Sequence, residues 1–470
     1  MSAIYMKGQR FQWFLTSSLL ICGLCSLAAS AQKKPTKQEI NQAKDLLAQG
    51  DQALRKKEFK DALDKYTQAI QLVPNSPEAR YGKANAHYEL KDYVNAKFEF
   101  QLALDQGYKP PVDVYAIRWH LFYDLKDYDA AIADLNKGIA IQPKNIDFLS
   151  GIGDIYVAKK QFKEALDAYQ KSIALSPKSG DLYYNIASVQ QLLGDTKAQR
   201  EAADMAINNG TRMMGEAYFL LADAARKQKD YEAAIRAYQS SYSAKQDKYE
   251  AYKDLSDLYR SQGKFDDAIR VLNKARLAFR NDGNILNDLA RYESLAGHPE
   301  RAVDWAKEGV AAEPKQYVGY TNLCRAFNEV QKYQEAIQNC NAALRLKSGD
   351  GETNYYLGNA YLQLNKTAEA DRYYRVAISG LVEYTNSKPE YAEGWYLLGG
   401  AYFANNQTDK AIGAFKTCLD ISPDFAKARF NLGFMYKVKK DKASALQQYN
   451  LLVKNDAGLA AKLKAEIDKM

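Results

Sequence analysis

The strongest constraint on this chain is a spacing that recurs about every 34 residues from Ala43 onward. In the window Ala43–Ser76 the landmarks are Gly50, Phe59, Ala62, Tyr66, Ala69 and Pro74, at positions 8, 17, 20, 24, 27 and 32. The pattern returns in twelve windows, starting at residues 43, 77, 112, 146, 180, 215, 249, 283, 317, 351, 392 and 426. Position 8 is small in eleven of twelve (Trp119 is the exception), and position 20 is Ala in eleven (Gln199 is the exception). Position 24 is mostly bulky, from Tyr66 and Phe100 to Phe415 and Tyr449. A unit of this length cannot bury its apolar face alone, so neighbouring units must stack into one continuous core.

Each window holds two apolar stretches of helical period, split by a polar turn such as Lys56-Lys57-Glu58. Small residues at 8, 20 and 27 let two antiparallel helices approach closely. Bulky residues at 4, 7, 11 and 24 fill the space around that contact. Pro at position 32, as in Pro74, Pro143, Pro177, Pro314 and Pro423, stops the second helix.

This pattern strongly resembles the tetratricopeptide repeat (TPR) family over residues 43 to about 456. The resemblance implies an all-α, right-handed superhelical solenoid of helical hairpins. It also implies a concave groove, lined by the first helix of each repeat, of the kind family members use to bind peptides or other proteins. There are departures. The window at Gly180 is degenerate, with Gln199 at position 20 and Ala203 at 24, and Trp119 predicts that the third repeat opens or reshapes locally. The step from Gly351 to Ala392 carries seven extra residues around Glu383–Ser387, which predict a second helix about two turns longer than its neighbours. That insertion is either a tolerated surface feature or a knob that shapes the groove. After the last repeat, residues 457–470 place Leu459, Leu463 and Ile467 on one helical face, as a capping helix would.

The N-terminus reads as an address. Lys7 and Arg10 precede an apolar, uncharged stretch from Phe11 to Ala28, and Ala29-Ser30-Ala31 has the small-x-small form of a cleavage site. A secretory signal peptide cleaved after Ala31 is expected, with an uncleaved membrane anchor as the alternative. Residues 32–42 then lead into the first helix. The mature chain is expected in a bacterial periplasm or outside the cell. Cys22 and Cys25 lack the small preceding residue of a lipidation site.

No chemistry stands out. The 65 Lys and Arg are scattered among 57 Asp and Glu, so the net charge of +8 does not form a nucleic-acid-binding patch. The three His (His87, His120 and His298) and five Cys form no metal-ligand motif, and no glycine loop follows a strand to cradle a phosphate. No cofactor, metal or catalytic residues are expected, and the chain reads as non-enzymatic. Cys324 and Cys340 fall at positions 8 and 24 of one repeat, nearly opposite each other. They are either a disulfide or two buried thiols.

Positions 2, 5, 9 and 12 of the first helix should point into the groove. The middle repeats offer Lys253, Arg260, Asn287, Arg291, Arg325 and Asn328, a mostly basic stretch. The last three offer an aromatic wall of Tyr355, Tyr396, Phe403 and Phe430, with Asn359 as its amide. Arg and Asn can hold a peptide backbone or carboxylate, and aromatics supply hot spots. No three consecutive windows supply the Lys, Asn and Arg set of the two-carboxylate clamp by which some TPR proteins hold chaperone C-termini. The expectation is an exported scaffold that binds a protein or peptide in its groove, in assembly or maintenance of an envelope or secreted complex. The alternative is a glycan-associated scaffold.

Overall fold

The computed structural model describes residues 34–245 and 247–470, so the leader segment with Cys22 and Cys25 lies outside the described residues. The chain divides into two compact units at Leu175/Ser176. The first holds α1 (Lys37–Arg55), α2 (Phe59–Leu72), α3 (Pro77–Glu89), α4 (Tyr93–Asp105), α5 (Pro111–Asp124), α6 (Tyr128–Ile141), α7 (Ile146–Ala158) and α8 (Phe162–Leu175). The second begins with α9 (Gly180–Leu193), α10 (Thr196–Asn208), α11 (Met214–Lys227), α12 (Tyr231–Ala244), α13 (Tyr249–Ser261), α14 (Phe265–Ala278), α15 (Gly283–Ala296) and α16 (Pro299–Ala312). It continues with α17 (Tyr317–Glu329), α18 (Tyr333–Leu346), α19 (Gly351–Gln363), α20 (Thr367–Ser387), α21 (Ala392–Ala404), α22 (Thr408–Ile421), α23 (Ala426–Val438), α24 (Lys442–Leu452) and α25 (Ala457–Ile467). The described residues are thus an all-α solenoid of tandem antiparallel pairs. Leu463 and Ile467 of α25 are buried with Ala445 and Leu452 of α24. No described helix is long and apolar enough to cross a membrane.

The turn inside each pair has one backbone solution. Position 15 adopts a left-handed conformation in all twelve repeats: at Lys57, Lys91, Lys126, Lys160, Lys229, Gln331, Asn365, Asn406 and Lys440, and at Gly194, Gly263 and Gly297. At the end of α1, Lys57 N–H donates to the Leu54 carbonyl (3.0 Å) and Glu58 N–H to the Ala53 carbonyl (2.9 Å). Those two bonds are the Schellman pair, which satisfies carbonyls the helix end would otherwise orphan.

The small residue at position 8 is required by the ring at position 24. A Cβ on Gly50 would lie 2.7 Å from the Tyr66 ring, and one on Gly153 would lie 2.5 Å from Tyr169. The ring hydroxyl then finds position 9: Tyr66 donates to Asp51 at 2.7 Å, Tyr169 to Asp154 at 2.5 Å and Tyr374 to Asn359 at 2.9 Å.

Each departure has a local answer. Trp119 does not open the third repeat. It is buried, its position-24 partner is the smaller Leu135, and Gly151 of α7 leaves room for both side chains. Gln199 is fully buried and donates to the Leu220 carbonyl at 2.8 Å, so the degenerate repeat still pairs α9 with α10. The insertion extends α20 to 21 residues against 14 in α18.

Candidate functional site

In the second unit, residues far apart in sequence meet. Phe265 at the start of α14 packs edge-on against Phe425, with ring centres 5.6 Å apart. Lys427 of α23 donates to the Ser294 carbonyl of α15 at 2.8 Å. The buried cluster that contains Leu255, Leu272 and Tyr292 also contains Phe415, Phe425 and Leu432. The seventh and eighth repeats therefore share a core with the eleventh and twelfth.

Three guanidinium groups from successive first helices converge inside this closure. Arg260 lies on α13, Arg291 on α15 and Arg325 on α17, and all three face Glu393 of α21. Arg325 Nη2 lies 3.1 Å from Glu393, Arg291 Nη1 3.4 Å and Arg260 Nη1 3.8 Å. Glu352 of α19 pairs with Arg291 at 3.4 Å and also with Arg325. Arg325 is 1% exposed and Glu393 6%. Burial alone would raise the Glu393 carboxyl, but Arg291, Arg325 and Arg260 outweigh it and hold the group near 2. The middle stretch is therefore not a free basic surface. Arg291 and Arg325 are neutralised by acids from later repeats, and Arg260 by Asp257 of its own helix together with Glu393.

The other residues expected in the groove have separate fates. Lys253 is exposed and pairs with Asp257 at 2.8 Å. Asn287 does not line the groove. It is buried, its backbone carbonyl accepts from Asn322 at 2.9 Å, and a Cβ on Gly309 would lie 2.5 Å from its Oδ1. Gly309 of α16 and Gly319 of α17 make room for it between α15, α16 and α17. Asn328 donates to the Tyr356 carbonyl at 3.0 Å and so ties α17 to α19. Asn359 is spent on Tyr374. Cys324 and Cys340 are disulfide-bonded with Cα atoms 5.1 Å apart, while Cys418 is a buried free thiol.

The aromatic wall divides. Tyr355 is half-buried against Gly400 of α21, and Tyr396 stacks on Phe425 at 5.0 Å. Tyr355 packs the tenth repeat onto the eleventh, and Tyr396 packs against the shared core. Phe403 and Phe430 instead gather around Phe434, at 6.1 Å and 6.4 Å, beside Lys462 and Glu466 of α25. They line a shallow groove, and Phe403 remains 37% exposed.

Next to the arginine cluster lies a cavity of about 500 Å³. Arg260, Arg291 and Glu393 form one side of it, and Tyr384 on the extra turns of α20 forms another. Tyr292 OH donates to Asp257 Oδ1 at 3.1 Å on its wall. Asp288 of α15 also lines the cavity. Burial, only partly offset by Arg291, pushes its carboxyl up to about 6. Sequence reasoning missed Glu352, Glu393 and Asp288. The first two sit at position 2, where a helix N-terminus already accounts for an acid. Their signal was that position 2 faces the same side as the arginines at 9 and 12. Among the described residues no group of three acidic, His or Cys side chains could hold a metal ion.

Profiles described as TPR repeat match residues 50–91, 120–159 and 153–194. Profiles described as Tetratricopeptide repeat match 225–291, 193–249, 355–424 and 396–460, so the matches together cover more than half of the chain. Among curated proteins, the Small glutamine-rich tetratricopeptide repeat-containing protein 2 of Mycosarcoma maydis is 25% identical over 36% of this chain and 41% of its own length. The BBSome complex member BBS4 homolog of Drosophila melanogaster is 25% identical over 57% of this chain and 56% of its own. This chain thus spans roughly half the length of these relatives. Among solved structures, the APC/C hetero-tetramer Cut9-Hcn1 is 15% identical, covering 90% of this chain and 96% of that one, with a TM-score of 0.36.

Proposed function

This chain belongs to the tetratricopeptide repeat family, a fold of protein-interaction scaffolds, and we propose that it is an exported, non-enzymatic scaffold that docks an envelope or secreted protein on its C-terminal repeats. The observation that carries the docking site is the trio Phe403, Phe430 and Phe434. Their rings are only partly covered. Partly exposed aromatics beside Lys462 and Glu466 have the make-up of an interface hot spot with a polar rim. The basic n-region, apolar stretch and Ala29-Ser30-Ala31 of the leader support export.

The test is affinity capture from the host's envelope extract with residues 32–470 as bait, beside a bait carrying Phe403→Ala, Phe430→Ala and Phe434→Ala. A hot spot costs at least about 2 kcal/mol on truncation, so the partner should be lost from the second bait. Capture of the same proteins by both baits, with both baits folded, refutes the site. N-terminal sequencing of the chain recovered from the host should begin at Gln32. A chain that still begins at Met1 would refute cleavage.

A further inference from the structure

The cavity beside the arginine cluster is separate from the phenylalanine groove, and its charges are almost all paired. Glu352 and Glu393 are shared among three arginines, Asp257 meets Lys253 and Arg260, and Asp350 meets Lys347 at 3.1 Å. Asp288 is different. Among the described residues it makes no hydrogen bond and no ion pair, and it lines the cavity from α15 as a half-buried side chain. Glu383 and Lys388 also lack ion-pair partners, but both are exposed, where water solvates them. Asp288 is thus the one half-buried charge in the cavity that no side chain meets at hydrogen-bond or ion-pair distance, with Arg291, Arg260 and Lys253 acting on it only from further off. An ionised carboxylate in that position costs the fold stability unless a cation reaches it.

We propose that this cavity binds a small ligand through a primary ammonium group, which Asp288 receives. A primary ammonium fits better than a neutral ligand because the missing element is a positive charge with several hydrogen-bond donors. Tyr384 and Tyr391 line the same cavity and supply a wall for the rest of the ligand. The volume of about 500 Å³ suits an amine, an amino acid or the N-terminus of a short peptide rather than a folded partner. The seven-residue extension of α20 carries Tyr384, so the insertion closes one side of the site. Burial raises the Asp288 carboxyl to about 6 because Arg291, Arg260 and Lys253 offset it only in part.

The test uses residues 32–470 and titration calorimetry with four probes: trialanine, trialanine amide, N-acetyl-trialanine and maltotriose. Trialanine and its amide should bind saturably, and acetylation, which removes the ammonium, should weaken binding at least tenfold. Asp288→Asn should weaken trialanine to the level of the acetylated probe while the thermal melt shows a folded protein. The proposal is overturned if acetylation makes no difference, if no alanine probe binds, or if maltotriose alone binds. Equal affinity in Asp288→Asn also overturns it. The acetylation contrast needs no variant, and partner capture by Phe403, Phe430 and Phe434 is a separate readout, so the two readings fail independently.

Discussion

Glu393 Oε1 lies 3.1 Å from Nη2 of Arg325, a residue 68 positions earlier in the chain. The contact spans four helices of the solenoid and brings the seventh, eighth, ninth and eleventh repeats to one carboxylate. Removing that carboxylate leaves Arg291 and Arg325 to share Glu352, and Arg260 to rely on Asp257, in a half-buried site. Glu393→Gln is therefore expected to destabilise the second unit by about 3–5 kcal/mol. Urea unfolding reads this as a lower midpoint for the transition that hydrogen exchange assigns to α13–α21. A loss below about 1 kcal/mol would mean that Glu352 and Asp257 suffice for the three arginines.

The same site sets a pH dependence with two opposed parts. The Glu393 carboxyl lies at about 2, below its ordinary 4.5. Its contribution is complete above 4.5 and drains away as pH falls toward 2. The Asp288 carboxyl lies at about 6, above its ordinary 3.8, so its ionisation opposes folding at neutral pH and the penalty lifts as pH falls through 6 toward 3.8. Asp288→Asn should accordingly raise the melting temperature at pH 7.5 and have little effect at pH 4. A variant that is equally stabilising at both values would show that shape rather than charge is responsible.

The repeat register was legible because packing geometry is local. Gly50, Ala62 and Tyr66 are fixed by one helix pair, and every pair poses the same problem. The extra turns of α20 were legible for the same reason, as seven residues added to a constant period. The closure of the second unit was not. It depends on how small rotations accumulate over several repeats, which no single window encodes. Arg260, Arg291 and Arg325 stand out in the sequence as a basic stretch, but their acidic partners lie up to 133 residues downstream and look like ordinary first-turn acids. Asn287 is buried rather than in the groove. Gly309 and Gly319 leave a space, and the side chain fills it.

Position 8 gives a paired test of the packing rule. A Cβ at Gly358 would meet the Tyr374 ring at 2.6 Å, whereas one at Gly413, within α22, meets nothing within 4 Å. Gly358→Ala should cost about 1–3 kcal/mol through overpacking. Gly413→Ala should stabilise by up to about 1 kcal/mol through helix propensity. Opposite signs from the same substitution, read in one urea series, would establish that the ring and not the backbone dictates glycine at position 8.

The disulfide between Cys324 and Cys340 links the two helices of the ninth repeat, where other repeats set a small residue against a ring. It closes a loop with a sequence separation of 16, so reducing it should cost about 3 kcal/mol. Alkylation of unfolded residues 32–470 should modify Cys418 alone without reductant and all three cysteines with it. Modification of all three without reductant would show two thiols and remove the predicted shift in melting temperature.

The left-handed turn residue offers the last test. Lys126 holds φ 60° between α5 and α6, and its N–H still donates to the Tyr123 carbonyl at 2.9 Å. A side chain in that conformation costs roughly 1–2 kcal/mol, which glycine avoids. Glycine gives back about 0.5–1 kcal/mol in unfolded-chain entropy, so Lys126→Gly should stabilise by about 0.5–1 kcal/mol net. Lys229 has φ 61° and no contact with the same turn, so adding Lys229→Gly should contribute a similar, independent increment. The two units unfold separately if the first substitution moves only the transition of residues up to Leu175 and the second only that from Ser176 onward. If both substitutions shift a single transition, the solenoid unfolds as one cooperative array, and the ninth-repeat disulfide should stabilise the first unit as much as the second.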